Sequence, residues 1–250
     1  MSFRGIIKFS DILKTASENN QIRNGCLVDT SILFAGSYDL DEFNTEAAGL
    51  FDYLAELKIP LYTNVNIRAE FIDLHRRAQI PEGLASLYSY EGKSLDPFLY
   101  SKLQVIATKF NEAKNNGNAY KFNEENIKEW RRRLKSFQVN NSDGWLKFCE
   151  DYLQGKIENI WDDTCSELNI NFLSVRGSDK SDWLENELTW EAMASIVGRF
   201  GIGSFDAMII NLFLNSHFSA IITADKEIAY VIESLKPDGK FVIVPSRLNL

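Results

Sequence analysis

Two rhythms of apolar residues run through this chain: short unbroken runs, and longer stretches in which apolar residues recur every three or four positions. Cys26-Leu27-Val28 is too short for a helix and suits a strand covered on both faces. It stops on Asp29, and Asp29, Thr30 and Ser31 can each cap a helix starting there. Leu50, Phe51, Leu54 and Leu57 then recur at helical spacing, Lys58-Ile59-Pro60 ends that helix, and Leu61-Tyr62-Thr63 reads as a second strand. Such a strand-helix-strand unit predicts parallel strands joined by a right-handed crossover. Ile67, Phe71 and Leu74 share one face of a helix over 64–77, which Pro81 and Gly83 are expected to break. From there to about residue 168 the pattern is largely helical with no clear strand. Trp145, Cys149, Tyr152, Leu153, Ile160, Trp161 and Leu168 fit an amphipathic helix interrupted near Gly155.

Strand character resumes over Asn169 to Val175. Leu188, Met193, Ile196, Val197 and Phe200 then mark a helix that stops before Gly201-Ile202-Gly203. That GxG lacks a third glycine, position 206 being Asp, so it reads as a helix stop and turn and not as a dinucleotide loop. Ser204 is placed to cap the next helix, with Phe205, Met208, Ile209, Leu212 and Phe213 as its apolar face. Ser219 to Asp225 is a second apolar strand ending on aspartate. A short helix through Ile228, Val231 and Ile232 comes after it, and Lys240 to Pro245 forms a last strand. The alternation predicts an α/β fold, a three-layer sandwich with a central, mostly parallel sheet and a long helical insertion. Residues 1–24, with Phe3, Ile6, Ile7, Ile12 and Leu13 ahead of a polar run from Ser17, read as an N-terminal extension with a short helix after Ser10. The main domain is expected over 25–250, interrupted at about 81–168.

Composition narrows the class. With 250 residues and 45% hydrophobic content the chain can bury a sizeable core as one large domain, or as one domain with an insertion. No apolar run approaches the roughly 20 residues of a membrane span, and the N-terminus lacks the layout of a signal peptide, so a cytoplasmic protein without membrane contact is expected. Cys26, Cys149 and Cys165 are odd in number and form no CxxC pair, which argues against a disulfide framework and against a cysteine zinc site. A formal charge of −8 repels nucleic acid unless basic residues cluster or cations neutralise an acidic site.

Four acids matter for that reason. In an open parallel sheet the strand exits and the helix starts next to them lie at one edge, where such sheets bind ligands. Asp29 and Asp225 stand at strand ends, Glu70 lies early in a helix leaving a strand, and Asp206 sits in the first turn of a helix feeding the strand at Ile221. Taken singly, each has a structural reading: Asp29 as a helix cap, Glu70 as a solvated helix acid, Asp206 as an acid favoured by the helix dipole, Asp225 as a turn residue before Lys226. Gathered at one edge, they would repel one another unless cations neutralised them, which points to a divalent-metal site. All-oxygen ligands suit Mg²⁺ or Mn²⁺.

The segments VDTSILFAG (28–36), NVNIRAEFIDL (64–74), GIGSFDAMIINLF (201–213) and SAIITADKEIA (219–229) together resemble the PIN domain, a family of metal-dependent nucleases that includes the toxins of many bacterial toxin-antitoxin pairs. The resemblance covers about residues 25–77 and 170–245. It implies a PIN-like fold and maps the family's acidic quartet onto Asp29, Glu70, Asp206 and Asp225, all catalytic and metal-binding. Thr30, Ser31 and Thr223 lie around them, Thr223 on the side of Asp225 by strand alternation. The implied activity is metal-dependent phosphodiester hydrolysis by an endoribonuclease acting on single-stranded RNA, with an antitoxin-like protein partner among the implied associations. Two departures stand out. Ser31 replaces the Asn that many members carry, so a contact to the first Asp is different or water-mediated. The insertion at about 81–168 exceeds the usual helical pair and reads as a lid, a homodimer surface or a substrate arm.

Basic residues that answer the net charge are Lys128, Arg131, Arg132, Arg133 and Lys135, opposed within their run only by Glu129, with Arg68, Arg76 and Arg77 as an alternative nucleic-acid contact. The first set also reads as a solvated helix face making i,i+4 pairs. Tyr88, Tyr90, Phe98 and Tyr100 can stack on bases or pack in the interior. His75 and His217 have no serine or cysteine partner in sequence and read as structural. A haloacid-dehalogenase-type phosphatase needs an Asp where Ser31 stands; a non-catalytic PIN-like nucleic-acid-binding or scaffold protein is the stronger rival.

Overall fold

The computed structural model describes residues 5–15, 20–91, 95–139, 142–173 and 183–250. The apolar runs become strands: β1 (Gly5–Lys8), β2 (Cys26–Val28), β3 (Leu61–Asn64), β6 (Ile170–Leu173), β7 (Ala220–Ile222) and β8 (Phe241–Val244) pair in parallel in the order β1-β8-β7-β2-β3-β6. β2, β7 and β8 are buried along their whole length, as unbroken apolar runs in a sheet covered on both faces must be. The helices are α1 (Phe9–Thr15), α2 (Thr30–Ser37), α3 (Asn44–Glu56), α4 (Val65–Glu91), α5 (Pro97–Asn115), α6 (Glu124–Lys135), α7 (Gly144–Cys149), α8 (Gly155–Glu167), α9 (Trp190–Phe200), α10 (Ser204–Leu214) and α11 (Lys226–Leu235). The molecule is an α/β three-layer sandwich around one all-parallel sheet. No helix among the described residues is long and apolar enough to cross a membrane.

Connection direction explains the layers. The steps β1 to β2 and β2 to β3 run one way across the sheet and carry α1, α2 and α3, which pack on one another; β6 to β7 and β7 to β8 run back and carry α9, α10 and α11, which form a second packed set. Right-handed crossovers in opposite directions place their helices on opposite faces. Direction reverses between the adjacent strands β2 and β7, the kind of switch point beyond whose carboxyl ends open parallel sheets bind ligands.

The chain divides into two compact units. Met1–Asp39, Phe43–Phe71 and Thr164–Leu250 form the sheet unit, and Leu40–Glu42 with Ile72–Asp163 form a helical one. The helical unit has its own core, built from Leu84, Leu99, Leu103, Ile127, Trp130 and Phe148 among others.

Several sequence expectations change. The segment before residue 25 is not an extension: β1 is an edge strand paired with β8, and α1 comes directly after it inside the sheet unit. Phe3, Ser17 and Val175 lie outside the described residues. The helical unit spans 72–163, not about 81–168. Pro81 and Gly83 do not break the helix, since α4 runs through both. Pro81 has no N–H to give the Arg77 carbonyl, and the Phe122 backbone N–H supplies that carbonyl instead, at 2.9 Å. Gly83 is a packing residue, because a Cβ there would come within 2.9 Å of Tyr152 Cβ and 3.0 Å of Phe148 Cζ. The helical stretch also contains a small antiparallel pair, β4 (Gln138–Val139) with β5 (Ser142–Asp143). Its last helical region is interrupted by a π-helical turn at Glu150–Gln154 just ahead of Gly155. Finally, Ser204 is the first residue of α10 and not its cap. Gly203 holds that position and makes no side-chain cap.

Candidate acidic site at the carboxyl edge of the sheet

β2 ends at Val28, and the next residue, Asp29, is the N-cap of α2, its carboxylate accepting from the Ser31 backbone N–H at 3.3 Å. Asp29 is thus both a cap and a site residue, and at 3% exposure it is almost wholly buried. Three donors converge on its Oδ2: that N–H, Ser31 Oγ at 2.6 Å and Thr223 Oγ1 at 2.8 Å. Ser31 Oγ also accepts from the Ala224 N–H at 2.9 Å, and Thr223 Oγ1 accepts from the Asp225 N–H at 2.9 Å. These bonds tie the exit of β2 to the exit of β7 at the point where connection direction reverses. Asp225 is the N-cap of α11, accepting from the Glu227 and Ile228 N–H groups. Ser31 therefore reaches the first Asp directly and not through water.

Glu70 lies on α4, where its Oε2 accepts from Thr30 Oγ1 at 2.7 Å, tying α4 to the first residue of α2. Asp206 stands in the first turn of α10. The two glycines before it divide their work: Gly201 closes α9 in the left-handed region at φ 70°, and Gly203 leaves room for the carboxylate, whose Oδ2 would lie 2.9 Å from an added Cβ.

Asp206 feels the charges of the other three acids. Asp206 has its pKa pushed up to about 7 by burial first and then by the negative charges of Asp225, Glu70, Asp29 and Glu227. Burial also raises the Asp29 carboxyl; the hydrogen bonds from Ser31 and Thr223 oppose that rise, and Asp225 adds to it. The donor set is all carboxylate oxygen, which suits Mg²⁺ or Mn²⁺. Even so, among the described residues no three acidic, imidazole or thiol groups form a compact set able to hold a metal ion directly.

No protein-family model matches this chain, and no curated protein matches it.

The basic candidates divide. Arg68 is exposed near the start of α4, in the sheet unit. In the helical unit, Arg76 pairs with Asp73 and Glu124, and Arg77 Nε donates to the Phe122 carbonyl at 2.8 Å, so both are bound into the fold. On α6, Ile127, Trp130 and Leu134 face inward while Lys128, Arg131, Arg132 and Lys135 are exposed. Arg133 pairs with Glu129, and Arg131 lies over the Trp145 ring with its guanidinium carbon 5.6 Å from the centroid. Tyr88 and Tyr100 join hydroxyls at 3.2 Å, whereas Tyr90 and Phe98 are exposed. His75 is buried and neutral, its pKa lowered to about 4 by burial. Burial pushes the Cys26 thiol up to about 12, an inert core position.

The sequence pattern did not single out Asn64 and Trp190, which line a cavity in the sheet unit. They belong to different elements, and no spacing signal links them.

Proposed function

We propose that the chain is a divalent-metal-dependent nuclease that hydrolyses phosphodiester bonds, an endoribonuclease acting on single-stranded RNA. The observation that carries this reading is the convergence of Asp29, Glu70, Asp206 and Asp225, recorded in an Asp206 carboxyl raised to about 7 by burial and by the other three charges. Such a group of acids is stable in its ionised form only with a cation among them. Bound Mg²⁺ or Mn²⁺ would supply an activated water and neutralise charge on the leaving oxygen. The chain's own residues hold the frame: Ser31 and Thr223 orient Asp29, Thr30 orients Glu70, and Asp206 keeps its proton near neutral pH until positive charge arrives. RNA is preferred over DNA on the PIN resemblance, which also supports an antitoxin-like partner; the long helical insertion is the proposed surface for pairing with a second copy, and a cytoplasmic location rests on the absence from the sequence of an apolar run of spanning length. The exposed basic residues of α6 and Arg68 are the proposed backbone contacts.

A second reading, a non-catalytic nucleic-acid-binding or scaffold protein, draws support from one observation: the acids do not form a compact ligand set among the described residues. Cleavage of labelled single-stranded RNA and DNA in Mg²⁺, Mn²⁺ or EDTA separates the two. The nuclease reading expects metal-dependent cleavage that falls at least about 100-fold in Asp29→Asn and in Asp225→Asn. No cleavage together with no calorimetric Mn²⁺ binding would establish the scaffold reading.

A further inference from the structure

The sheet unit holds a cavity of about 380 Å³, lined by Asn64, Asn66, Trp183, Trp190, Met193 and Met208 among others. Part of its wall comes from elements that carry the acids. Asn64 ends β3, the neighbour of β2, and so stands at the same carboxyl edge as Asp29. Asn66 lies one helical turn before Glu70 on the same face of α4, whereas Met208, two residues after Asp206, lies on the other side of α10 from it. Asn66 Nδ2 donates to Met208 Sδ at 3.6 Å, joining the two helices at the cavity wall.

No charged side chain lines this space, which disfavours a phosphate or carboxylate as its occupant. Its walls are aromatic and thioether, with Trp183 buried and Trp190 68% exposed, an arrangement that suits a flat ring. Its polar side chains are the amides of Asn64, Asn66 and Asn211 and the hydroxyl of Thr189, which caps α9. Asn64 is only 8% exposed, and its Oδ1 caps α4 by accepting the N–H groups of Asn66 and Ile67, each at 3.0 Å. Its Nδ2 makes no hydrogen bond among the described residues and is not one of the wholly buried atoms left without a partner, so an oriented, accessible donor is left over. By contrast, Asn211 donates to the Thr189 carbonyl and accepts from Asn215, and both bonds are internal.

We infer that this cavity receives one unstacked nucleobase of the single-stranded substrate, its ring against Trp190 and an acceptor on its edge bonded to Asn64 Nδ2. The inference rests on the nuclease reading, because a base lodged here would hold the adjoining phosphate at the acidic edge. A cavity of this size holds a base together with its sugar, and a double-stranded substrate could not offer one without flipping it out.

The test uses the four ribonucleosides, which carry no phosphate, with the full chain in EDTA so that binding does not depend on the acids or on metal. Tryptophan fluorescence monitors the titration. At least one nucleoside is expected to quench saturably, and Trp190→Ala should weaken that binding about tenfold or more. Asn64→Asp keeps the oxygen that caps α4 but replaces the donor with an acceptor. It should lose a similar factor while its circular-dichroism melt stays close to wild type. In cleavage assays Trp190→Ala should raise KM for RNA and spare kcat. If no nucleoside quenches saturably up to its solubility while RNA is still cleaved, the base pocket is overturned and the nuclease stands. Saturable nucleoside binding by a protein that neither cleaves RNA nor binds Mn²⁺ would keep the pocket and overturn the nuclease.

Discussion

Asp206 shows how the site bears on a single residue. Its carboxyl has a pKa of about 7 in the folded chain against an ordinary value of 3.8, so between those values the folded state holds a proton that the unfolded state has released. The resulting penalty is absent below about pH 4 and complete above about pH 7, on the order of 2 kcal/mol once solvent screening of this half-buried group is allowed for. Asp206→Asn should therefore raise the melting temperature of the metal-free protein at pH 8 and leave it nearly unchanged at pH 4. An equal shift at both pH values would show that the other acids do not act on it. Around Asp29 the expected losses are of a different kind. Ser31→Ala and Thr223→Val each remove a hydrogen bond to Oδ2, and each should reduce cleavage or Mn²⁺ affinity by about 10- to 100-fold with the fold retained. Much of this was legible in the sequence: two strand-end aspartates, and a threonine placed by alternation on the side of one of them. Asn64 and Trp190 were not, because a cavity arises from the packing of several elements and leaves no period in any one of them.

Within elements, local signals served well for type and less well for extent. Gly201 stopped α9 as a left-handed cap should, and the apolar runs became β2, β3, β7 and β8. Pro81 and Gly83 carry the strongest breaker signals in α4, yet the helix continues because Phe122 satisfies the orphaned carbonyl and the glycine admits Phe148 and Tyr152. β1 was missed for a related reason, since only Ile6 and Ile7 mark it and its partner β8 lies at the other end of the chain. Two glycines in helices separate packing from propensity. At Gly83 a methyl meets side chains at 2.9–3.0 Å, so Gly83→Ala should destabilise by about 1–3 kcal/mol despite its better helix propensity. At Gly198 in α9 an added Cβ meets nothing within 4 Å, so Gly198→Ala should stabilise by about 0.5–1 kcal/mol. Urea unfolding of both variants checks the pair, and a gain at Gly83 would mean that α4 and the π-helical turn are not packed as described.

For the whole molecule, the alternation of elements announced a parallel α/β sheet, but it could not announce the strand order β1-β8-β7-β2-β3-β6, which depends on pairings between distant segments. That order sets Asp29 beside Asp225, because β2 and β7 are neighbours whose onward connections diverge. Two groups shifted by burial give the metal-free protein opposed pH dependences. His75, 1% exposed, has its pKa lowered from 6.5 to about 4 by burial, so on acidification the unfolded chain takes up a proton that the folded chain refuses. Its contribution is complete above about pH 6.5 and lost as pH falls toward 4, a change of about 3 kcal/mol at most. Asp206 acts in the opposite direction, with stability falling as pH rises toward 7. Between about pH 4 and 7 the two therefore oppose and largely offset each other, and each variant uncovers one of them: Asp206→Asn should leave a metal-free stability that rises with pH, and His75→Gln one that falls as pH rises toward 7. Mn²⁺ should stabilise the protein above about pH 7 by neutralising the acids and act little near pH 4, since His75 belongs to the helical unit and not to the acidic site. Thermal melts of wild type and both variants from pH 4 to 9, with and without Mn²⁺, test this. Stability above pH 7 that is indifferent to Mn²⁺ would argue that the carboxyl edge of this sheet does not bind cations.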